Sequence, residues 1–224
     1  MFKQFLKLPP MFSVNERGPA AAAGFSTAHG VSAKERTLKM IKELSASLLY
    51  AGTDDRDIGL FEGQYVVPEG MAYNSYVICD EKIAVLDTVD GRKTAEWMEN
   101  IEQALNGQQP DYLIVQHMEP DHSASIAAFL EKYKGATVVG NTKTFAMLAK
   151  YFPNLELKNT LTVKEGEALP IGRRTLRFFM APMVHWPEVM MTYDETDNVL
   201  FSADAFGKFG TFDANGDNVV ANSL

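Results

Sequence analysis

A cluster of possible metal ligands in the middle of the chain constrains its fold most strongly. His117, Glu119, Asp121 and His122 fall within six residues, in the order His-x-Glu-x-Asp-His. The apolar run 112–115 directly precedes them and predicts a buried strand that ends in a ligand-rich loop. Such a strand fixes the backbone, and in an extended loop side chains two residues apart point to the same side. The stretch therefore predicts a metal site.

Two later residues occupy matching positions. His185 follows a predicted strand at 176–180 and a short loop, and Asp204 follows a predicted strand at 199–202. Both come just after strand ends, where open-edge sites are built. Asp204 alone would suggest a turn or a helix cap, but the other candidates favour a ligand. The predicted ligand set is His117, Glu119, Asp121, His122, His185 and Asp204.

The types of ligand narrow the choice of metal. Histidines with a single aspartate would suit zinc hydrolysis, whereas Glu119 adds an anionic hard donor that favours iron or manganese. Six ligands exceed the needs of one tetrahedral ion, and a carboxylate such as Asp204 can bridge two ions about 3.5–4 Å apart. The set therefore predicts two metals.

Hairpins that alternate with single helices predict the fold class. Three hairpins are predicted: 74–87, 161–163 with 175–180, and 189–202. Three helices are predicted from apolar residues at helical spacing: 94–105, 123–133 and 142–152. This order favours an α+β fold with two sheets and helices outside them, an αββα sandwich. A doubly wound sheet is the alternative.

The first fifty residues differ in composition from the rest. Residues 1–31 contain two adjacent prolines, an alanine run and few acids, and we expect a disordered or presequence-like tail. Apolar residues in 32–50 recur at spacings of three and four, which predicts an amphipathic helix. The globular domain is predicted over 51–224.

Charge and cysteine content exclude several partners. The chain has 21 basic and 29 acidic residues, and its formal net charge of −8 argues against nucleic-acid binding. The single cysteine, Cys79, rules out an internal disulfide framework and fits a reducing cytosol. No apolar run approaches the roughly 20 residues that span a bilayer. We expect a cytoplasmic protein with no nucleic-acid or membrane partner, with organelle import through the tail as the alternative.

Three motifs in order carry a family resemblance. They are the segments 117–123, 182–187 and 200–207. Together they resemble the metallo-β-lactamase-like domain of flavodiiron proteins, also called A-type flavoproteins, over roughly 48–212. In hydrolases of this fold a histidine usually stands where Glu119 does here. Glu119 is therefore the residue that best distinguishes the resemblance to flavodiiron proteins from a resemblance to those hydrolases. The resemblance implies a metallo-β-lactamase-like αββα sandwich.

The resemblance also implies a chemistry. Family members hold a non-haem di-iron centre and reduce dioxygen to water, nitric oxide to nitrous oxide, or both. The resemblance implies that one iron is held by His117, Glu119 and His185, and the other by Asp121 and His122. Asp204 is implied as the bridge between them. No further catalytic residue is implied.

Electron supply in the family involves a second domain. Electrons reach the irons from FMN in a flavodoxin-like domain that follows the di-iron domain, and a rubredoxin or a flavin/NADH reductase supplies that FMN. In the family's head-to-tail homodimer, the flavin of one subunit lies next to the irons of the other.

The sequence departs from the family pattern after the third motif. The second iron normally has one more histidine, but no histidine follows His185, and no flavodoxin-like domain precedes Leu224. We therefore expect a chain truncated before that ligand and before the FMN domain, which alone would not bind FMN. The alternatives are a zinc-dependent hydrolase of the same fold and an inactive fragment.

Overall fold

The structure, a computed structural model, describes residues 5–7 and 41–212. Its helices are α1 (Thr94–Leu105), α2 (Pro120–Ser123), α3 (Ile126–Lys132) and α4 (Thr142–Tyr151). Its strands are β1 (Phe5–Lys7), β2 (Lys42–Ser45), β3 (Leu48–Tyr50), β4 (Thr53–Asp55), β5 (Leu60–Phe61), β6 (Tyr65–Val66), β7 (Met71–Tyr73), β8 (Tyr76–Cys79), β9 (Ile83–Leu86), β10 (Tyr112–Ile114), β11 (Thr137–Gly140), β12 (Thr160–Thr162), β13 (Ala168–Pro170), β14 (Thr175–Met180), β15 (Met190–Asp194) and β16 (Val199–Phe201).

Two main sheets are formed by these strands. In the part of the chain that the structure describes, the larger sheet has seven strands in the order β12-β11-β10-β9-β8-β3-β2, and the smaller has five in the order β1-β16-β15-β14-β13. Strands β9 to β12 run parallel, because helices connect each to the next. The smaller sheet is antiparallel throughout.

Strand β9 shows how the layers pack. Ile83 and Val85 belong to the core between the larger sheet and the helices, which includes Trp97 of α1 and Phe129 of α3. Ala84 and its neighbour Leu86 belong to the core between the two sheets. Both faces of β9 are therefore buried, which explains its unbroken apolar sequence.

This layering confirms the predicted α+β sandwich of two packed sheets. Within 41–212 the helices cover the outer face of the larger sheet. The alternative of one doubly wound sheet is wrong, because the second sheet is antiparallel and is built from hairpins. None of the described helices is long and apolar enough to cross a membrane.

The predictions for the first fifty residues need correction. The helix predicted over 32–50 is wrong where the structure describes it, because β2 and β3 form a hairpin there and β3 pairs with β8. Short apolar runs fit both helical and strand periods, and this pairing decides between them. The domain therefore begins before residue 51. The predicted disordered tail contributes β1, which pairs with β16. Its other residues lie outside the described ranges.

Two further elements differ from prediction. Residues 161–163 do not pair with 175–180: β12 joins β11 in the larger sheet, whereas β14 pairs with β13 and β15 in the smaller. The helix predicted at 123–133 begins earlier, at Pro120, and is divided into α2 and α3. Proline favours a first helical position, since it has no N–H to satisfy there.

Candidate metal centre

Four predicted ligands meet at one point between the ends of the two sheets. His117, Glu119, His185 and Asp204 each offer a ligand atom, and these atoms all lie within 4.8 Å of one another. Glu119 Oε2 lies 3.0 Å from His117 Nε2 and 2.9 Å from His185 Nε2. Asp204 Oδ2 lies 3.0 Å from His185 Nε2. Imidazole and carboxylate groups in this arrangement suit iron, manganese or zinc.

His122 reaches the same site through the second oxygen of Asp204. Its Nε2 lies 2.9 Å from Asp204 Oδ1, whereas Oδ2 faces His117 and His185. The Asp204 carboxylate therefore lies between His122 on one side and His117 and His185 on the other, as a bridge between two cations requires. This donor set fits a pair of metal ions.

Asp121 lies beside this group without belonging to the four-residue cluster. It is 4% exposed and stands next to His122 on α2. Five of the six predicted ligands are thus linked through Glu119 and Asp204, and the ligand role of all six stays a prediction.

Glu188 orients His117 from behind. Its Oε1 lies 2.7 Å from His117 Nδ1 and accepts the Met118 N–H at 2.9 Å. Burial raises the pKa of Glu188, but the hydrogen bonds from His117 and Met118 outweigh burial and hold it below its ordinary value. A carboxylate at Nδ1 fixes the tautomer that presents Nε2 to a metal.

Asp87 does the same for His122. Its Oδ2 lies 3.0 Å from His122 Nδ1, and its Oδ1 accepts the Gln116 N–H at 2.7 Å. Neither Asp87 nor Glu188 belongs to the predicted ligand set. Asp87 directly follows β9, and Glu188 follows His185 by three residues, so only their positions next to strand ends and ligand motifs could have indicated them.

Hydrogen bonds at the site also set the protonation of His117. Burial lowers its pKa, but hydrogen bonds to Asp204, Glu119 and Glu188 outweigh burial and raise the pKa to about 11. A metal must therefore displace a proton from His117 at neutral pH.

Glu62 is another carboxylate at the site, and it lies outside the predicted ligand set. It stands in the turn between β5 and β6. Its hydrogen bond with Glu119, its partial burial and the charge of Glu119 together raise its pKa to about 7.

The backbone around the site is unusual. Several residues that are not glycine adopt positive φ angles there: Glu62, Asp87, Met183, Ala203 and Phe206. Such conformations are uncommon and cost free energy, of order 1–3 kcal/mol each, and they concentrate at functional sites. They indicate that the fold gives up stability to place these side chains.

The site opens to the surface beside His185. The His185 side chain is 45% exposed, unlike the other three members of the cluster. We define the apolar rim as the exposed apolar residues on the β5–β6 hairpin and on the loops that follow β14 and β16: Leu60, Tyr65, Val66, Met183, Val184, Phe206 and Phe209. Phe209 packs against both Phe61 and Tyr65, which joins the β5–β6 hairpin to the loop after Asp204.

Comparison with known proteins agrees with this geometry. The family model described as ODP family beta lactamase matches residues 71–223. The anaerobic nitric oxide reductase flavorubredoxin of Aliivibrio fischeri is 37% identical over 161 residues, which are 71% of this chain and 32% of that protein.

Two solved structures also resemble this chain in both fold and sequence. The flavodiiron protein of Giardia intestinalis superposes with a TM-score of 0.70 at 32% identity, over 76% of this chain and 41% of that one. The rubredoxin:oxygen oxidoreductase of Desulfovibrio gigas superposes with a TM-score of 0.65 at 27% identity, over 69% and 38%.

The chain spans about a third to two fifths of the length of these relatives. The matched part is the domain that carries the candidate metal centre, and it contains all six predicted ligands. The chain therefore belongs to the ODP family of beta-lactamase-like proteins and is homologous to the flavodiiron proteins over their di-iron domain.

Proposed function

We propose that this chain is the di-iron domain of an oxidoreductase that reduces nitric oxide to nitrous oxide, dioxygen to water, or both, with electrons delivered through FMN. The observation that carries the proposal is the position of Asp204, whose two oxygens face different imidazoles across a shared site. That arrangement favours two ions over one, and the Glu119 carboxylate, a hard donor, favours iron or manganese over zinc.

In this proposal the six predicted residues hold two ions. The first ion would be held by His117, Glu119 and His185, and the second by Asp121 and His122. Asp204 would be shared by the two ions. Two ferrous ions would together supply two electrons to a diatomic substrate. Glu188 and Asp87 hold His117 and His122 in the tautomer that binds metal, and their burial keeps those rings fixed.

The opening at His185 gives a small substrate access to the site. The apolar rim around it limits the approach of water, because its exposed side chains offer no hydrogen-bonding groups except the Tyr65 hydroxyl. A gas molecule without charge can cross such a surface at little cost.

The apolar rim also supports the proposal of a protein partner. Met183 is 70% exposed and Phe206 is 63% exposed, and exposed apolar patches beside a site commonly mark an interaction surface. We propose that the FMN-bearing part of a second subunit covers this rim in a head-to-tail homodimer, and that a rubredoxin or a flavin/NADH reductase supplies the FMN. The single cysteine favours a cytoplasmic location.

Anaerobic reconstitution with ferrous iron tests the proposal. The loaded, reduced chain is exposed to nitric oxide in a single turnover, and nitrous oxide is measured by gas chromatography while iron is measured by mass spectrometry. We expect two irons per chain and up to one nitrous oxide per pair of irons, since two nitric oxide molecules take up two electrons and two protons to give nitrous oxide and water.

The zinc-loaded chain is the control and should form no nitrous oxide. Preferential binding of zinc over iron, together with hydrolysis of a lactam or thioester by the zinc form, would replace the proposal with the hydrolase alternative.

A further inference from the structure

A small buried cavity lies beside His122, between the ends of the two sheets. The space in it that is open to the centre of a water molecule is about 10 Å³, which is roughly the room that one water needs. The polar residues that line it are all buried: Asn74, Tyr76, Asp87, Gln116, His122 and Ser202. A buried water makes two to four hydrogen bonds, so amide, hydroxyl and carboxylate groups around one such space suit a water site.

Gln116 has a buried amide on the wall of this cavity. Its side-chain Nε2 donates to Asp87 Oδ2 at 3.3 Å, and because a carboxylate only accepts, this contact fixes which end of the amide is the nitrogen. Oε1 therefore points away from Asp87. It is buried and has no hydrogen-bond partner among the described residues. A buried acceptor without a partner is destabilising, so a donor in the cavity is expected.

The same amide acts on His122 through Asp87. Gln116 contacts both oxygens of the Asp87 carboxylate, since its backbone N–H also donates to Oδ1 at 2.7 Å. Two hydrogen bonds from one residue fix the plane of that carboxylate. Oδ2 lies 3.0 Å from His122 Nδ1, and the opposite nitrogen of the ring faces Asp204. The Gln116 amide therefore stands one step behind the carboxylate that orients this ring.

We propose that Gln116 is a positioning residue for His122, and that the cavity binds one water molecule, which donates a hydrogen bond to Gln116 Oε1. The water fixes the amide, the amide fixes the Asp87 carboxylate, and the carboxylate fixes the imidazole. The inference rests on the two-metal site of the proposed function, and it concerns the ion that His122 would hold.

Asn100 provides a matched control for the loss of a buried amide. It is fully buried in α1, and its Oδ1 also has no hydrogen-bond partner among the described residues. Its Nδ2 donates to the Gly52 carbonyl at 2.9 Å, and Asn100 has no hydrogen bond to a predicted ligand or to Asp87. A variant at Asn100 therefore measures what the loss of a buried amide does to the fold as a whole.

Titration of ferrous iron alone into the metal-free proteins under anaerobic conditions tests the proposal. Gln116→Met keeps the length of the side chain and removes its hydrogen bonds, and Asn100→Leu does the same at the control position. We expect Gln116→Met to weaken one of the two binding steps by about 10-fold, as changes behind a metal ligand do, and to leave the other step unchanged. The Mössbauer spectrum of the weakened site should change as well. Asn100→Leu should lower the Tm and leave both steps and the spectrum as in the wild type.

Gln116→Asn is the second variant, in case Gln116→Met does not fold. It keeps a polar amide at the cavity, but it is one methylene shorter and cannot reach Asp87 as Gln116 does. We expect it to weaken the same binding step. Thermal melting of each metal-free variant checks that it unfolds cooperatively.

Crystal structures of the metal-free proteins test the water directly. In the wild type we expect an ordered water within about 3.2 Å of Gln116 Oε1. In Gln116→Met the Asp87 carboxylate should rotate away from its wild-type position. An Oε1 with no water beside it, or an Asp87 that does not move, would overturn the proposal whether or not metal binds.

The titration separates this inference from the proposed function. If the wild type binds two irons and the Gln116 variants bind both as tightly, with an unchanged spectrum, the positioning role is overturned and the two-metal centre stands. Equal weakening of both steps in Gln116→Met and in Asn100→Leu would also overturn it, because the effect would then belong to the fold as a whole. A wild type that does not bind two irons would overturn the proposed centre instead.

Discussion

Glu188 Oε1 lies 2.7 Å from His117 Nδ1, and both side chains are fully buried. The opposite nitrogen of the same ring faces Glu119 and Asp204, so Glu188 controls the direction in which His117 presents its lone pair. The pairing joins two residues that are 71 positions apart in the chain.

Replacement of Glu188 should weaken metal binding without removing a ligand. In Glu188→Ala the His117 Nδ1 and the Met118 N–H lose their partner, and unsatisfied buried groups cost about 1–3 kcal/mol of folding stability. Metal affinity should fall by about 10- to 100-fold. Metal titration and chemical denaturation measure the two effects. Glu131→Ala, at an exposed acid on α3, is the control and should change neither.

Asp204 should control the number of ions that bind. Because its two oxygens face different imidazoles, Asp204→Ala removes a donor from both proposed ion sites at once. We expect the iron content to fall from two per chain to one or none, as measured by mass spectrometry after desalting. Two retained irons with an unchanged Mössbauer spectrum would contradict a bridging role.

Metal binding should release protons and strengthen as the pH rises. The hydrogen bonds to its carboxylate neighbours raise the pKa of His117 to about 11, above the ordinary value of 6.5, so the metal-free ring is protonated at pH 7. A metal binds only the neutral ring, so at higher pH the proton competes less with the metal for His117. Calorimetric titrations at pH 7 in two buffers of different ionisation enthalpy count the protons released. A heat of binding that is independent of the buffer would refute this prediction.

The ionisation of His117 should also influence the stability of the metal-free protein. A folded-state pKa above the unfolded value stabilises the fold fully below about pH 6.5, and this contribution is lost as the pH rises towards about 11. Denaturation midpoints of the metal-free protein should therefore fall across this window. The His117→Gln variant should show a flatter profile over the same range.

Two glycines on either side of β6 allow backbone strain to be measured separately from steric overlap. Gly63 and Gly70 both have positive φ, 70° and 73°. A Cβ at Gly63 would meet open space, whereas at Gly70 it would lie 2.4 Å from the Asp55 carbonyl oxygen. Gly63→Ala should cost about 1–2 kcal/mol, the cost of the left-handed conformation. Gly70→Ala should cost clearly more, because backbone must also shift. Equal losses in chemical denaturation would contradict this account.

Local signals predicted the parts of the fold that local chemistry determines. The helix at 94–105 was predicted with its stop at Asn106, which indeed adopts a left-handed φ of 46°. The hairpin of β8 and β9 and that of β15 and β16 were also predicted, since each joins neighbouring segments. Strand β12 was assigned to the wrong partner, because its pairing with β11 depends on the crossover through α4 and on no feature of β12 itself.

Only the part of the candidate site that lies in a local motif was predicted from the sequence. Ligands that follow a strand in a compact motif, such as His117 and Glu119, are visible in the sequence. Glu62 and Glu188 are isolated acids in loops, and only the folded chain places them against the motif. Their contacts depend on how the sheets and the hairpin pack, which no local spacing encodes.

The position of the site across the sandwich has a consequence for the lifetime of the protein. His117 and Glu119 extend from the larger sheet, whereas His185 and Asp204 extend from loops of the smaller one. A bound ion would thus act as a cross-link between the two halves of the fold, and its release would free them to separate. The metal-free protein should therefore open more often, and proteases should cleave it faster than the metal-bound protein.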